Sequence, residues 1–146
     1  MAVDDCDVIV FDVDGVLLDD TGRSVRLKGV RLLTRAVREY RVYIVTGRSE
    51  EDRWIISNML REHGIEAREL AGIFMRPRSS RVDEVTLKIE LLNNIIDVEG
   101  CIREVHDNNP RVLDAARRLV EGALVLHYND QCTSIRGKSL FPECIE

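Results

Sequence analysis

Several absences narrow the class of this 146-residue chain before any motif is read. No apolar run approaches the roughly 18 residues that a membrane-spanning helix needs. The N-terminus, MAVDDCDVIVFDVDG, places acid ahead of its first apolar run, the reverse of a secretory signal peptide. That run therefore reads as a first strand, and the protein as cytoplasmic with no membrane partner. Cysteine is sparse: Cys6, Cys101, Cys132 and Cys144 contain no C-x-x-C pair, which argues against a zinc ribbon. None has an evident catalytic base beside it, so they read as buried or incidental thiols. A Cys132–Cys144 bridge is reserved for an oxidising setting or an unusual organism. Aromatic residues make up only 5% of the chain and are scattered, so no base-stacking platform is evident. Lysine occurs only at Lys28, Lys88 and Lys138; the other cationic side chains are arginines. Repeats, low-complexity tracts and linkers are absent.

What is present describes a globular α/β domain. Hydrophobic residues make up 45% and charged residues 32%. A chain of this length suits one domain, residues 1–146, and can bury about 68–70% of its unfolded surface. The net charge of −5 argues against a general nucleic-acid binder, so any anionic ligand must be held by a local basic cluster. Asp7–Phe11, Val42–Val45, Leu70–Met75, Ile102–His106 and Ala123–His127 are strand candidates. Between them lie helical patterns over Leu27–Tyr40, from a Ser49 N-cap to Gly64, over Val82–Ile96, and from Asn109-Pro110 to about Val120. Asp19-Asp20-Thr21-Gly22-Arg23 reads as a turn at the tip of a small hairpin. Strands alternating with helices predict a Rossmann-like parallel sheet covered on both faces. Ligands in such sheets bind beyond the carboxyl ends of the strands.

Chemistry-bearing residues gather at those ends. Asp12-Val13-Asp14-Gly15 follows the first strand, Thr46-Gly47-Arg48 the second, and Asp107-Asn108-Asn109 the fourth. Lys88 shares a helix face with Val85, Leu91 and Leu92, so its ammonium is partly buried and needs an acidic partner. Taken singly, each piece has an ordinary explanation. Asp-x-Asp-Gly marks many turns, although an EF-hand fails because its twelfth position is Arg23. Thr-Gly-Arg can be a plain strand-to-helix turn, Lys88 can pair with Glu84 one helical turn back, and Asp107-Asn108-Asn109 can cap a helix. Taken jointly and in this order, they point to a site.

The set Asp12-Val13-Asp14-Gly15, Thr46, Lys88 and Asp107 resembles the four motifs of the haloacid dehalogenase (HAD) superfamily, from about Cys6 to His127. The resemblance implies an Mg²⁺-dependent phosphatase. Asp12 would be the nucleophile and Asp14 the general acid–base. Thr46 would bond a phosphoryl oxygen, and Lys88 would neutralise charge. The metal would be held by Asp12, Asp107, the main-chain carbonyl of Asp14 and, at the position where many members carry a second acid, Asn108. The acid at Asp14 argues for phosphoryl transfer over dehalogenation. From Asp12 to Thr46 there is room for one hairpin and one helix, and from Thr46 to Lys88 for no more than a helix, a strand and part of a helix. The site is therefore expected to lack a cap domain, unless a homo-oligomer supplies a lid.

Val45-Thr46-Gly47-Arg48 and Met75-Arg76-Pro77-Arg78, leading to Lys88, are similar to the 3′-phosphatase domain of polynucleotide kinase–phosphatases. This likeness implies a substrate-phosphate contact from Arg48, beside Gly47, with a nucleic-acid end as partner. Arg76, Arg78 and Arg81 form an acid-free stretch next to the expected rim, which reads either as further substrate-phosphate contacts or as a solvated surface loop. No G-x-x-x-x-G-K-[ST] loop accompanies them, so no P-loop kinase lies within the chain. A metabolite phosphatase and a non-catalytic binding module of the same fold are the competing readings.

Overall fold

The computed structural model describes residues 3–145. β1 (Val8–Phe11) is buried at every position and pairs in parallel with β2 (Arg41–Ser49) on one side and β4 (Glu104–Asp107) on the other. β2 pairs with β3 (Gly72–Arg76), and β4 with β5 (Ala123–Tyr128), both in parallel. β6 (Gln131–Arg136) adds an antiparallel edge, giving the order β3-β2-β1-β4-β5-β6. The continuous apolar run of β1 follows from its place at the centre, where both faces are covered.

Residue parity along the strands divides the core in two. Ile9, Phe11, Val42 and Ile44 pack with α1 (Leu27–Glu39) and α2 (Arg53–Glu62). Val8, Val10, Tyr43, Val45 and Val105 pack with α3 (Glu84–Glu99) and α4 (Pro110–Ala116). Gly29, early in α1, is needed for close approach, since a Cβ there would stand 1.8 Å from the Val16 carbonyl oxygen. No helix among the described residues is long and apolar enough to cross a membrane.

The sequence-based elements all occur, with differences that have local causes. β2 runs on through Thr46-Gly47-Arg48 to Ser49, with an irregularity in its pairing to β3 between Val45 and Ser49. Ser49 caps a 3₁₀ turn, Glu50–Asp52, and the α-helix begins only at Arg53. Asp83 caps α3, so Val82 lies outside the helix, which continues to Glu99. α4 stops at Ala116, and the Arg136 guanidinium takes up the carbonyls of Arg117, Val120 and Gly122 in the turns that follow. β6 was not anticipated; its signal was Asn129-Asp130, whose φ values of 48° and 57° form a tight hairpin turn. The small hairpin is present, with Leu18 bridged to Val25 and the Asp19 carboxylate accepting from Thr21 and Arg23.

The expectation of incidental thiols is corrected. Cys6 is bonded to Cys101 and Cys132 to Cys144, leaving no free cysteine among the described residues. Sequence spacing concealed the first pair because the bridge spans 95 residues and exists only once β1 and the approach to β4 lie side by side.

Candidate active site

The chain leaves β1 toward β2 and β3 on one side, then crosses to β4 on the other. The strand order therefore reverses between β1 and β4, and the carboxyl ends of these two strands are where such a sheet opens a crevice. Asp12 follows β1 there, and Asp107 ends β4. Both are buried, as is Lys88, which reaches them from α3. The Lys88 ammonium lies 2.9 Å from Asp12 Oδ1 and 2.8 Å from Asp107 Oδ2. Val13 N–H donates to Asp12 Oδ1 at 2.8 Å, and Asn109 N–H to Asp107 Oδ1 at 2.8 Å.

The electrostatics are unbalanced. Burial pushes the Asp12 carboxyl well above the usual range, the Asp107 charge adds to this, and Lys88 offsets only part. Burial raises Asp107 as well, again with Lys88 opposing. For Lys88, burial acts downward, but the Asp12 and Asp107 charges outweigh it and hold the ammonium above its ordinary value. Two buried carboxylates thus share one ammonium, and the surplus negative charge suits a further cation. No group of three or more His, Cys, Asp or Glu side chains among the described residues is arranged to hold a metal ion by itself. The donors expected from the sequence are two carboxylates, the Asp14 carbonyl and the Asn108 amide. An all-oxygen set with few carboxylates fits a small hard cation that completes its shell with water or phosphate, as Mg²⁺ does.

Asp14 is half-buried and held by Arg48, whose Nε and Nη2 reach its carboxylate at 2.9 and 2.8 Å. That pairing raises Arg48 further above its already high pKa. The hairpin tip closes over the pair, since a Cβ on Gly22 would lie 2.0 Å from Arg48 Nη2. Thr46 is fully buried, and its hydroxyl accepts from Arg48 N–H at 3.1 Å. Asn108 packs over Gly15, where φ is +85° and a Cβ would stand 2.3 Å from the Asn108 Nδ2. Glycine is required there both for the turn and for the amide.

Most of the residues inferred from sequence gather at this rim, but not all stand free. Arg76 is a scaffold residue: Nε donates to the Gly47 carbonyl at 3.2 Å and Nη1 to that of Val82 at 2.7 Å. It ties the loop after β3 to the last residues of β2. Arg78 and Arg81 are exposed on that loop. Glu84 belongs to the cluster too, with Oε1 3.2 Å from Lys88 Nζ and Oε2 accepting from Asn109 Nδ2 at 3.3 Å. Its one-turn spacing from Lys88 was the available signal, and it pairs with Lys88 in addition to the two aspartates.

No family model matches this chain, and no curated protein matches it. Solved structures do. A chain in a structure of the Pnkp1/Rnl/Hen1 RNA repair complex superposes with a TM-score of 0.70 at 20% identity, covering 84% of this chain and 42% of that one. A second structure of the Pnkp1/Rnl/Hen1 complex gives 0.69 at 19% identity, covering 83% of this chain and 46% of the other. The chain spans less than half the length of either matched chain, and at this identity the likeness establishes a shared α/β fold.

Proposed function

We propose that this protein is an Mg²⁺-dependent phosphomonoesterase of the HAD type, working through an aspartyl-phosphate on phosphorylated polynucleotide ends. The observation that carries the reading is the convergence of Asp12 and Asp107 on the buried Lys88 at the strand-order reversal. Asp14 and Arg48 stand at the same rim. The resemblance of these residues to the four HAD motifs adds support. The RNA repair complexes whose chains share this fold favour a polynucleotide over a metabolite.

In the proposed first step an Asp12 carboxylate oxygen attacks phosphorus. The bond to the leaving oxygen breaks, and that oxygen takes a proton from Asp14. In the second step Asp14 takes a proton from water, whose oxygen attacks the acyl phosphate. Inorganic phosphate leaves and Asp12 is restored. Dividing the hydrolysis in two lets one positioned carboxylate replace water in the harder displacement. Lys88 and Thr46 N–H and hydroxyl groups would meet the charge on the equatorial oxygens. Asp12, Asp107, the Asp14 carbonyl and Asn108 would hold Mg²⁺, which when bound would supply Lewis-acid neutralisation of the phosphate. Proton transfer requires the Asp14 oxygens to face the leaving group, so the Arg48 pair has to open. A phosphate dianion offers Arg48 the exchange partner, and binding would thereby free the acid.

The test is a comparison of a 3′-phosphorylated oligonucleotide with p-nitrophenyl phosphate and a panel of metabolite phosphates, with and without Mg²⁺. The oligonucleotide should be the preferred substrate, and Asp12→Asn should abolish turnover while leaving the fold intact. Near-normal activity in Asp12→Asn would sink the mechanism. Preference for a metabolite would move the substrate class and leave the chemistry standing.

A further inference from the structure

A buried polar chain lies on the opposite face of β4 from the site. Val105 and Asp107 face α3 and α4, whereas Glu104 and His106 point the other way; both are 0% exposed. Glu104 accepts three hydrogen bonds: from His106 Nε2 at 2.6 Å, Ser139 Oγ at 2.7 Å and Leu140 N–H at 2.7 Å. His106 Nδ1 meets His127 Nε2 at 2.8 Å. The His106 ring stacks on Phe11 with centroids 4.5 Å apart and meets the edge of Phe141 at 5.5 Å. A buried carboxylate is costly unless fully bonded, so each of these donors matters. Two of the three come from residues 137–145 at the end of the chain. That segment is fastened by the Cys132–Cys144 bridge and by a hydrogen bond from Ser134 N–H to the Ile145 carbonyl.

The same stack reaches both site aspartates through the backbone. The His106 carbonyl accepts the Asp12 N–H at 2.9 Å. His106 directly precedes Asp107, and Phe11 directly precedes Asp12. We propose that the disulfide-fastened segment 137–145 is a positioning device for Asp12 and Asp107, acting through Ser139 and Leu140 on Glu104, and through Glu104 on His106. With that segment in place, the backbone beneath each carboxylate is clamped. With it released, Glu104 loses two of its three donors and the stack under Asp12 and Asp107 loosens. Reacting groups tolerate little of this, since a displacement of about 1 Å can cost on the order of 100-fold in rate.

The test uses the full chain with Ser139→Ala, Glu104→Gln and the double variant Cys132→Ser/Cys144→Ser. Ser139→Thr retains the hydroxyl and serves as the rescue. Cys6→Ser/Cys101→Ser removes the bridge at the other end of the sheet and serves as the control. Two measurements are made at a temperature where circular dichroism shows every variant folded. The first is hydrogen exchange over peptides spanning 8–13, 104–109 and 42–46. The second is kcat, KM and the half-saturating Mg²⁺ concentration with p-nitrophenyl phosphate. The positioning variants should accelerate exchange in 8–13 and 104–109 but not in 42–46. They should lower kcat by about 10- to 100-fold and raise the half-saturating Mg²⁺ concentration, with KM within about twofold. Ser139→Thr should match the parent in both readouts; the control should match it in kcat, KM and half-saturating Mg²⁺, and any faster exchange from its lower global stability should fall on 42–46 as much as on 8–13 and 104–109. The proposal is overturned if the terminal segment exchanges freely while 8–13 and 104–109 stay as in the parent, or if the control variant reproduces the same losses. The kinetic arm rests on the phosphatase reading; the exchange arm does not. Accelerated exchange in a protein with no phosphatase activity would therefore reject the function and retain the positioning device.

Discussion

Asp14 and Arg48 carry the sharpest consequence at the scale of single residues. Their carboxylate–guanidinium pair uses two nitrogens of Arg48 and sits under the hairpin tip. If Asp14 is the acid for the leaving group, Asp14→Ala should lower kcat by about 10²–10⁴-fold on an alkyl phosphate. The loss should be much smaller on p-nitrophenyl phosphate, whose leaving group needs little protonation. Rates of the variant on the two substrates check this, and an equal loss on both would remove Asp14 from the acid role. His127 is the other residue with a measurable signature. Burial, the neighbouring His106 and the Lys28 charge push its pKa from 6.5 down to about 2. The unfolded chain therefore takes up a proton below pH 6.5 that the folded protein refuses, so this group removes stability as pH falls through that window. Between pH 7 and pH 5 the parent should lose about 2 kcal/mol more than His127→Gln. Urea titrations of both proteins at the two pH values measure the difference.

At the scale of elements, the end of β3 and the loop that joins it to α3 divide their arginines between two tasks. Arg76 is spent on the carbonyls of Gly47 and Val82, whereas Arg78 and Arg81 face solvent. Arg76→Ser should therefore slow every substrate, because it unfastens the loop that flanks Thr46 and Gly47. Arg78→Ser and Arg81→Ser should spare p-nitrophenyl phosphate and weaken only the oligonucleotide, each reducing the slope of log affinity against log salt by about 1. Binding titrations across a salt series decide it. Equal effects of the exposed pair on both substrates would remove that loop from a polynucleotide path.

The whole molecule is closed by two bridges of unequal reach. Cys6–Cys101 closes a separation of 95 residues and Cys132–Cys144 one of 12. If bridges act mainly by restricting the unfolded chain, removing the first should cost about 2 kcal/mol more than removing the second. Chemical denaturation of Cys6→Ser/Cys101→Ser and Cys132→Ser/Cys144→Ser compares them. The larger loss should belong to the bridge farther from the site, which separates global stability from the positioning of Asp12 and Asp107.

By itself the sequence determined what depends on neighbours along the chain. The apolar run Val8–Phe11, the Asn109-Pro110 helix start and the carboxylates just past the strand ends were legible because periodicity and turn chemistry are local. The partial burial of Lys88 and its need for acid were legible for the same reason. Tertiary structure decided what depends on residues brought together from a distance. It joined Cys6 to Cys101 and withdrew Arg76 from the rim into the scaffold. It also assembled Glu104, His106, His127 and Ser139 behind the site. Each of those pairings needs the sheet order to exist first, since β1, β4 and β5 are adjacent in space and far apart in the chain. A buried polar group shows its partner only when the strands that carry the two have been laid side by side.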